Sequence, residues 1–273
     1  MRTFSASPIE LIGSFWRRRE LIGDLIKRDV VGRYRGSLMG IVWSFINPLF
    51  MLAVYTFVFA VIFKARWGGN VSGGNLEFAL VLFAGLMVFN VFAECVNKSP
   101  GLIISNANYV KKVIFPLEIL PWVTMGSALF HGAVSLLVWL LFYTISFGIP
   151  GAWSLLLPVV VLPLLLFTLG LSWILASIGT YLRDMLQFIG LITTALMFLS
   201  PIFYPITSLP ERYRLIFMLN PLTITIEQVR GVLIWNKEPD WAWTLGGILV
   251  AALFAWLGFF LFQKTRRGFA DVL

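Results

Sequence analysis

The stretch SLLLPVVVLPLLLFTLGLSWILASIGTY, Ser154–Tyr181, decides the fold class because it lacks charged residues and is long enough to cross a bilayer. Five other long apolar stretches accompany it. Six membrane-spanning helices are therefore predicted, over Leu38–Phe63, Phe78–Val96, Leu117–Phe147, Ser154–Tyr181, Leu186–Phe203 and Trp241–Phe262. The sequence predicts an all-α integral membrane protein.

The composition supports a lipid environment. Of the 273 residues, 59% are hydrophobic and 12% are charged, whereas a soluble domain carries roughly a quarter charged residues. The net charge of +8 would suggest nucleic acid in a soluble protein, but here basic residues flank apolar stretches, so anionic lipid headgroups are the simpler partner. The single cysteine, Cys95, excludes an intrachain disulfide. No cleavable signal peptide is expected, since Met1–Ser37 is polar and basic.

The distribution of basic residues predicts the orientation. With six spans both termini lie on one side, and placing them in the cytoplasm puts fifteen basic residues inside and six outside. An odd number of spans is the alternative. It would place the Arg266–Arg267 tail or the Arg17–Arg19 cluster outside, and both are costly.

Three segments lie outside the simple spans. Within a cytoplasmic segment 1–37, Pro8–Val30 has apolar residues at near-helical spacing and predicts an amphipathic helix in the membrane interface, or packed on a soluble partner. Within the six-span domain 38–273, Asn97–Pro116 is basic and long enough for a helix parallel to the membrane. Tyr204–Asp240 predicts two short external helices with a turn at Pro221, in a re-entrant arrangement or at the surface.

Ionisable residues within the spans are few. Glu94 and Glu118 lie near span ends and can reach the interface, which favours a structural role. His131, at mid-span, is interpreted as a hydrogen bonder between helices, since no chain of titratable groups for proton transfer is visible in the sequence. Ser127, one turn earlier, lacks the acidic partner of a serine hydrolase. No catalytic residue and no metal site are predicted, with one cysteine and one histidine.

The chain also lacks the phosphate-binding pattern GxxxxGK[ST]. If it performs ATP-driven work, a separate chain must bind and hydrolyse the ATP. We therefore expect no cofactor on this chain.

Aromatic residues are abundant, with 25 Phe, 11 Trp and 7 Tyr. Those within or at the ends of spans 1 and 5 could let a sugar chain slide past flat rings with polar edges, and core packing is the alternative role for each. They are Trp43, Phe50, Tyr55, Phe59, Phe198, Phe203 and Tyr204.

Several short motifs follow one another in a specific order. They are RDVVGRYRGSLMG at Arg28–Gly40, then Trp43 and Asn47–Pro48, NYVKKVIFP at Asn108–Pro116, YLRD at Tyr181–Asp184, SPIFYP at Ser200–Pro205, and Asn220–Pro221. This order resembles that of the type-2 ABC permeases that export bacterial cell-surface polysaccharides such as O-antigen, capsule and teichoic acid. The resemblance covers nearly the whole chain.

The resemblance implies a homodimer in the bacterial inner membrane with two copies of a separate ATPase subunit, which would hold ATP and Mg. Spans 1 and 5 would line the channel, and Tyr204–Asp240 would form external gate helices. The substrate would be a polyprenyl-pyrophosphate-linked glycan. Asn97–Lys112 would be the coupling helix, with contacts to the ATPase at Asn108, Tyr109, Val110, Lys111 and Lys112.

Three arginines of the first motif, Arg28, Arg33 and Arg35, could bind a pyrophosphate headgroup through charge-assisted hydrogen bonds. An ordinary positive-inside anchor is an equal alternative for each. Capsule, teichoic acid, drug or lipid export remains an alternative cargo. An intramembrane polyprenyl-phosphate glycosyltransferase is the alternative of another class, although no paired carboxylates stand out.

Overall fold

A computed structural model describes residues 6–62, 74–110 and 115–273. Within these ranges the secondary structure is entirely helical, without a β-strand. The α-helices are α1 (Pro8–Arg17), α2 (Arg19–Arg33), α3 (Trp43–Tyr55), α4 (Gly74–Lys98), α5 (Ala107–Val110), α6 (Leu120–Phe147), α7 (Leu157–Tyr181), α8 (Met185–Phe198), α9 (Glu211–Met218), α10 (Pro221–Leu233), α11 (Trp241–Thr265) and α12 (Phe269–Val272). The all-α prediction is confirmed.

Five helical segments of the described chain are long and apolar enough to cross a membrane. They are Gly40–Val58, Leu76–Gly101, Leu117–Phe147, Ala152–Tyr181 and Trp241–Val272. Each overlaps one of the predicted spans. The first continues beyond α3 as a π-helix, Thr56–Ile62.

The predicted fifth span, Leu186–Phe203, is shorter than expected. Its helix α8 has 14 residues, which rise about 21 Å, against a hydrocarbon core of about 30 Å. The helix stops at Phe198 because Pro201 and Pro205 follow, and a residue before proline disfavours helical backbone. The described residues thus contain five long apolar helices and one short one.

Helix α4 forms the centre of the bundle. Between Phe78 and Phe89 every side chain except Gly85 belongs to the buried hydrophobic set, and α6, α7, α8 and α10 pack around the helix. The Trp139 indole of α6 is fully buried and donates a 3.0 Å hydrogen bond to the Leu80 carbonyl of α4. Helix α4 is therefore shielded from lipid by its own protomer over most of its length.

Helices α7 and α11 form the closest helix pair. A Cβ atom at Gly258 would lie 2.3 Å from the carbonyl oxygen of Gly170, and one at Gly170 would lie 2.7 Å from the Cα of Ala255. Small residues allow such close backbone approach between membrane helices.

The predicted amphipathic segment Pro8–Val30 is two helices that meet at Arg18. Helix α1 leaves apolar side chains such as Ile9, Ile12 and Trp16 exposed, as an interface helix would. Helix α2 instead packs on α6, where Ile22 and Leu25 are buried against the start of that helix.

The beginning of the described chain and its C-terminal helix lie at the same end of the bundle. The Trp256 indole of α11 donates to the Ala6 carbonyl, and Arg266 pairs with Glu118 at the start of α6. We call this end the terminus side, and the opposite end, which carries α9 and α10, the α10 side.

The remaining segments agree with the sequence in part. Two short helices, α9 and α10, occupy the region 204–240 and break before Pro221, as predicted. The segment after α4 is not one helix, because Pro100 and Gly101 interrupt it. It consists of two 3₁₀ turns, Ser99–Gly101 and Ile104–Asn106, followed by α5.

Candidate functional site

Charged side chains from three helices converge on Glu94 near the terminus-side end of α4. Arg33 of α2 donates to one carboxylate oxygen at 2.9 Å, and Lys98 donates to the same oxygen at 3.0 Å. The Nδ1 atom of His131, from α6, lies 3.0 Å from the other oxygen. Lys98 also reaches Asp29 of α2 at 3.3 Å. We call these five residues the Glu94 network.

The sequence did not reveal this network. Arg33 and Asp29 are one turn apart on α2, as are Glu94 and Lys98 on α4, so each helix carries charges on one face. Which faces meet depends on how the helices pack. Glu94 contacts three charged or titratable partners, whereas the sequence indicated only that its side chain could reach the interface. His131 does bond between helices, as interpreted from sequence.

A cavity of about 320 Å³ opens beside the network. It lies between α3, α4 and α6, with the turn after α2 at one end. Its polar lining comes from all these elements and includes Tyr34, Ser44, Asn47, Asn90, Glu94 and His131. Burial raises the pKa of the Tyr34 phenol above its usual 10.0, although Arg33 opposes the shift, so the hydroxyl is neutral at pH 7. The cavity combines neutral donors and acceptors with two charged residues, Glu94 and Arg33.

A second contact joins α2 to the predicted coupling segment. Arg28 donates a 2.6 Å hydrogen bond to the Tyr109 hydroxyl of α5, and its guanidinium carbon lies 5.7 Å from the centre of that ring. The Tyr109 ring in turn stacks on Phe115, with centroids 4.1 Å apart. Asn108 is exposed and Val110 is half-buried, while Lys111 and Lys112 lie outside the described residues. Helix α2 therefore touches both the coupling segment and the membrane bundle.

The three candidate headgroup arginines differ in their contacts. Arg28 binds Tyr109 and Arg33 binds Glu94. Arg35 is exposed on the turn after α2, and no residue of the described chain forms a hydrogen bond or an ion pair with its side chain. Arg35 is thus the member of the set most available to a ligand.

The aromatic candidates lie in two separate groups. In the first, the Trp43 indole donates to Ser37, Phe50 is 62% exposed, and Tyr55 lines the cavity; the side chain of Phe59 lies outside the described part. In the second, near the end of α8, the exposed Phe198 stacks on Phe203 with centroids 5.7 Å apart.

Tyr204 completes the second group. Its hydroxyl donates a 2.8 Å hydrogen bond to the Phe198 carbonyl, and its ring meets the edge of Phe217 on α9. The candidate aromatic residues thus fall into two groups, one on α3 and one at the end of α8.

On the α10 side, Arg230 forms a second polar centre. It was counted among the external basic residues in the sequence, but its side chain is fully buried. It donates to the carbonyls of Val81 in α4 and Ile202 in the turn after α8, at 3.0 and 2.8 Å, and it pairs with Glu227 at 3.0 Å. We call this arrangement the Arg230 clamp.

The chain matches a family model and is similar to several known proteins. A family model described as ABC-2 type transporter matches residues 20–234. The O-antigen export system permease protein of Myxococcus xanthus is 28% identical over 266 residues, covering 96% of this chain and 99% of that protein. The protein of the same description from Klebsiella pneumoniae is 25% identical, covering 93% and 95%. The polysialic acid transport protein of Escherichia coli is 24% identical, covering 76% and 78%.

Proposed function

This chain belongs to the ABC-2 type transporter family, and we propose that it exports a polyprenyl-pyrophosphate-linked polysaccharide of the O-antigen type. It is a membrane permease and not an enzyme, so the glycosyltransferase alternative is set aside. The observation that carries the choice of cargo is the match to O-antigen export permeases along nearly the full length of both chains.

The proposed topology places the terminus side in the cytoplasm. The five long helices and α8, extended by the turn that follows it, make the six crossings. The excess of basic residues on the terminus side supports this orientation. The protein then lies in the bacterial inner membrane with α9 and α10 on its outer face.

A separate ATPase subunit supplies the energy in this proposal. The chain has no phosphate-binding loop of its own, so ATP and Mg would be held by the partner. We place the ATPase contact on the segment Asn97–Lys112, with α2 beside it. The Arg28–Tyr109 bond would let α2 move together with that segment.

The proposed transporter contains two copies of this chain and two ATPase subunits. Helices α3 and α8 support this arrangement because their apolar side chains are exposed in one protomer, for example Phe50, Leu191 and Phe198. Exposed apolar surface of this kind fits a protein interface or lipid. With both copies present, α3 and α8 would border the channel, and the two aromatic groups would lie along it.

We propose that the arginines of the first motif receive the pyrophosphate headgroup. Arg35 would make the first contact because it is exposed and uncommitted within the described protomer. Arg28 and Arg33 could join only by leaving Tyr109 and Glu94. Helices α9 and α10 would act as the external gate, held by the Arg230 clamp.

Capsular polysaccharide is the second candidate cargo. Its support is the weaker similarity to the polysialic acid transport protein and to a capsule polysaccharide export protein of Neisseria meningitidis, 26% identical over 232 residues. These matches cover less of this chain than those to the O-antigen permeases.

Deletion of the gene tests the proposal. We expect a lipid-linked polysaccharide to accumulate inside the cell, and the intact protein, but not one with a scrambled segment 97–112, to restore its export. An affinity-tagged permease should co-purify with an ATPase subunit. Normal surface polysaccharide in the deletion strain would refute polysaccharide export.

A further inference from the structure

The cavity beside Glu94 continues as a polar stripe along α4. Asn90, Glu94 and Asn97 are spaced four and three residues apart, so they share one face of the helix. Asn90 and Asn97 are exposed, although most of α4 is buried. Asn90 lies near the middle of the apolar segment Leu76–Gly101. An exposed amide at that depth is costly in lipid, so this face must meet water, another polar surface or a polar ligand.

Only some of the polar groups around the cavity have a hydrogen-bond partner among the described residues. Asn97 accepts a 2.9 Å hydrogen bond from Thr193 of α8. In contrast, the amides of Asn90 and Asn47 have no hydrogen-bond partner within the described chain. The Nε2 atom of His131 is buried and also lacks a partner there, while Nδ1 faces Arg33 and Glu94. Both amides are exposed in the single protomer, so they are available to a ligand.

From this geometry we propose that the cavity is a sugar-binding subsite that takes one unit of the exported glycan. Amides donate and accept at once, so Asn47 and Asn90 can each pair with neighbouring sugar hydroxyls. The Tyr55 ring provides an apolar wall. This inference rests on the proposed export of a glycan.

The size and charge of the cavity fit this ligand class. Its volume of about 320 Å³ is at the low end of the roughly 300–1,000 Å³ typical of small-molecule sites, so it suits a short unit and not a polymer segment. The two charged residues that line the cavity, Glu94 and Arg33, pair with each other at 2.9 Å, which leaves the other polar lining residues to bind the ligand. The site is therefore suited to hydroxyl groups more than to a phosphate, which separates it from the proposed headgroup contact at Arg35.

The test compares two lipids on the complete permease–ATPase complex in lipid nanodiscs. One is the polyprenyl-linked glycan purified from cells whose exporter ATPase is blocked; the other is polyprenyl pyrophosphate without sugar. We expect the wild-type complex to bind the glycan-bearing lipid more tightly. Asn90→Leu, which removes two or more hydrogen bonds without changing the side-chain size greatly, should weaken that binding about tenfold and leave the sugar-free lipid unaffected.

Thr144→Val is the matched control, since the Thr144 hydroxyl bonds to its own helix at Leu140 and lies away from the cavity. It should leave the binding of both lipids unchanged. Equal binding of the glycan by wild type and Asn90→Leu, in a wild-type complex that exports glycan, would overturn the subsite while leaving the proposed function intact. Loss of the permease dimer in Asn90→Leu would also overturn it, because the stripe would then be a dimer contact. A wild-type complex that neither exports nor binds the glycan would overturn both proposals.

Discussion

The Glu94 network and the Arg230 clamp both use buried or half-buried charge, but they hold it in different ways. In the network, charged side chains bind each other across three helices, and the Arg33 side chain is still 52% exposed. In the clamp, a fully buried guanidinium binds mainly backbone carbonyls of α4 and of the turn after α8. Side-chain partners can exchange with one another or with a ligand. Backbone carbonyls can move only if the helices or turns that carry them move as well. We therefore predict that substitutions in the network change stability little but impair transport. Substitutions in the clamp should reduce both stability and transport.

The largest effect is expected for Arg230→Met. The substitution leaves buried carbonyls and Glu227 without their donor, and breaking a buried charge pair costs roughly 3–5 kcal/mol. The unfolding temperature in detergent should fall sharply. Arg212→Met, at an exposed position on α9, is the control and should unfold like wild type. Equal stability of the two variants would show that the clamp does not hold α10.

A smaller loss of stability is expected for Gly85→Ala, which lies beside the same arginine. The added Cβ would lie 2.7 Å from a guanidinium nitrogen of Arg230, so the arginine must shift within its cage. Overpacking of a tight interior typically costs about 1–3 kcal/mol. Thermal unfolding should show a loss smaller than that of Arg230→Met, and combining the two substitutions should cost less than their sum, since they act on one contact. Strict additivity would argue against that shared contact.

On the terminus side, Glu94→Gln should reduce transport with little change in stability. Glutamine keeps the size and part of the hydrogen bonding, and partly exposed ion pairs contribute only about 0–1 kcal/mol, so the unfolding temperature should change little. Export should fall, because Arg33 and Lys98 lose the charge that positions them beside the cavity. A variant with normal export would show that the network is only structural.

The dependence on salt should distinguish the two regions further. Salt screens exposed pairs more than buried ones. The small effect of Lys98→Ala on stability should therefore shrink in high salt, since Lys98 is 39% exposed, while the effect of Arg230→Met should persist. Unfolding measured at low and high salt for both variants tests this, and an equal salt response would contradict the difference in burial.

The smallest effect is expected for Tyr109→Phe. The ring keeps its stacking on Phe115 but loses the bond from Arg28, which lies at an exposed position where water can replace it. Stability should hardly change, whereas substrate-stimulated ATPase activity of the complex should fall severalfold if α2 moves with the coupling segment. Unchanged stimulation would show that the Arg28–Tyr109 bond does not contribute to the proposed coupling.

Several features of the fold could be read from the sequence because they depend on local composition. The apolar stretches predicted the long helices, and Pro221 predicted the break between α9 and α10. The length of α8 was predicted less well: hydropathy continued to Phe203, but Pro201 and Pro205 ended the helix earlier. The segment after α4 was also misjudged as one helix, although Pro100 and Gly101 are visible in the sequence.

The sequence alone determined that the chain is helical and that it enters a membrane, because hydropathy is a property of each stretch by itself. Only the tertiary structure decided that Arg33, Glu94 and His131 meet, that Arg230 is buried, and that Asn90 faces a cavity. Each of these depends on how a helix is rotated about its axis and on which neighbour covers it. Those relations join residues far apart in the chain, and they are set by packing between helices.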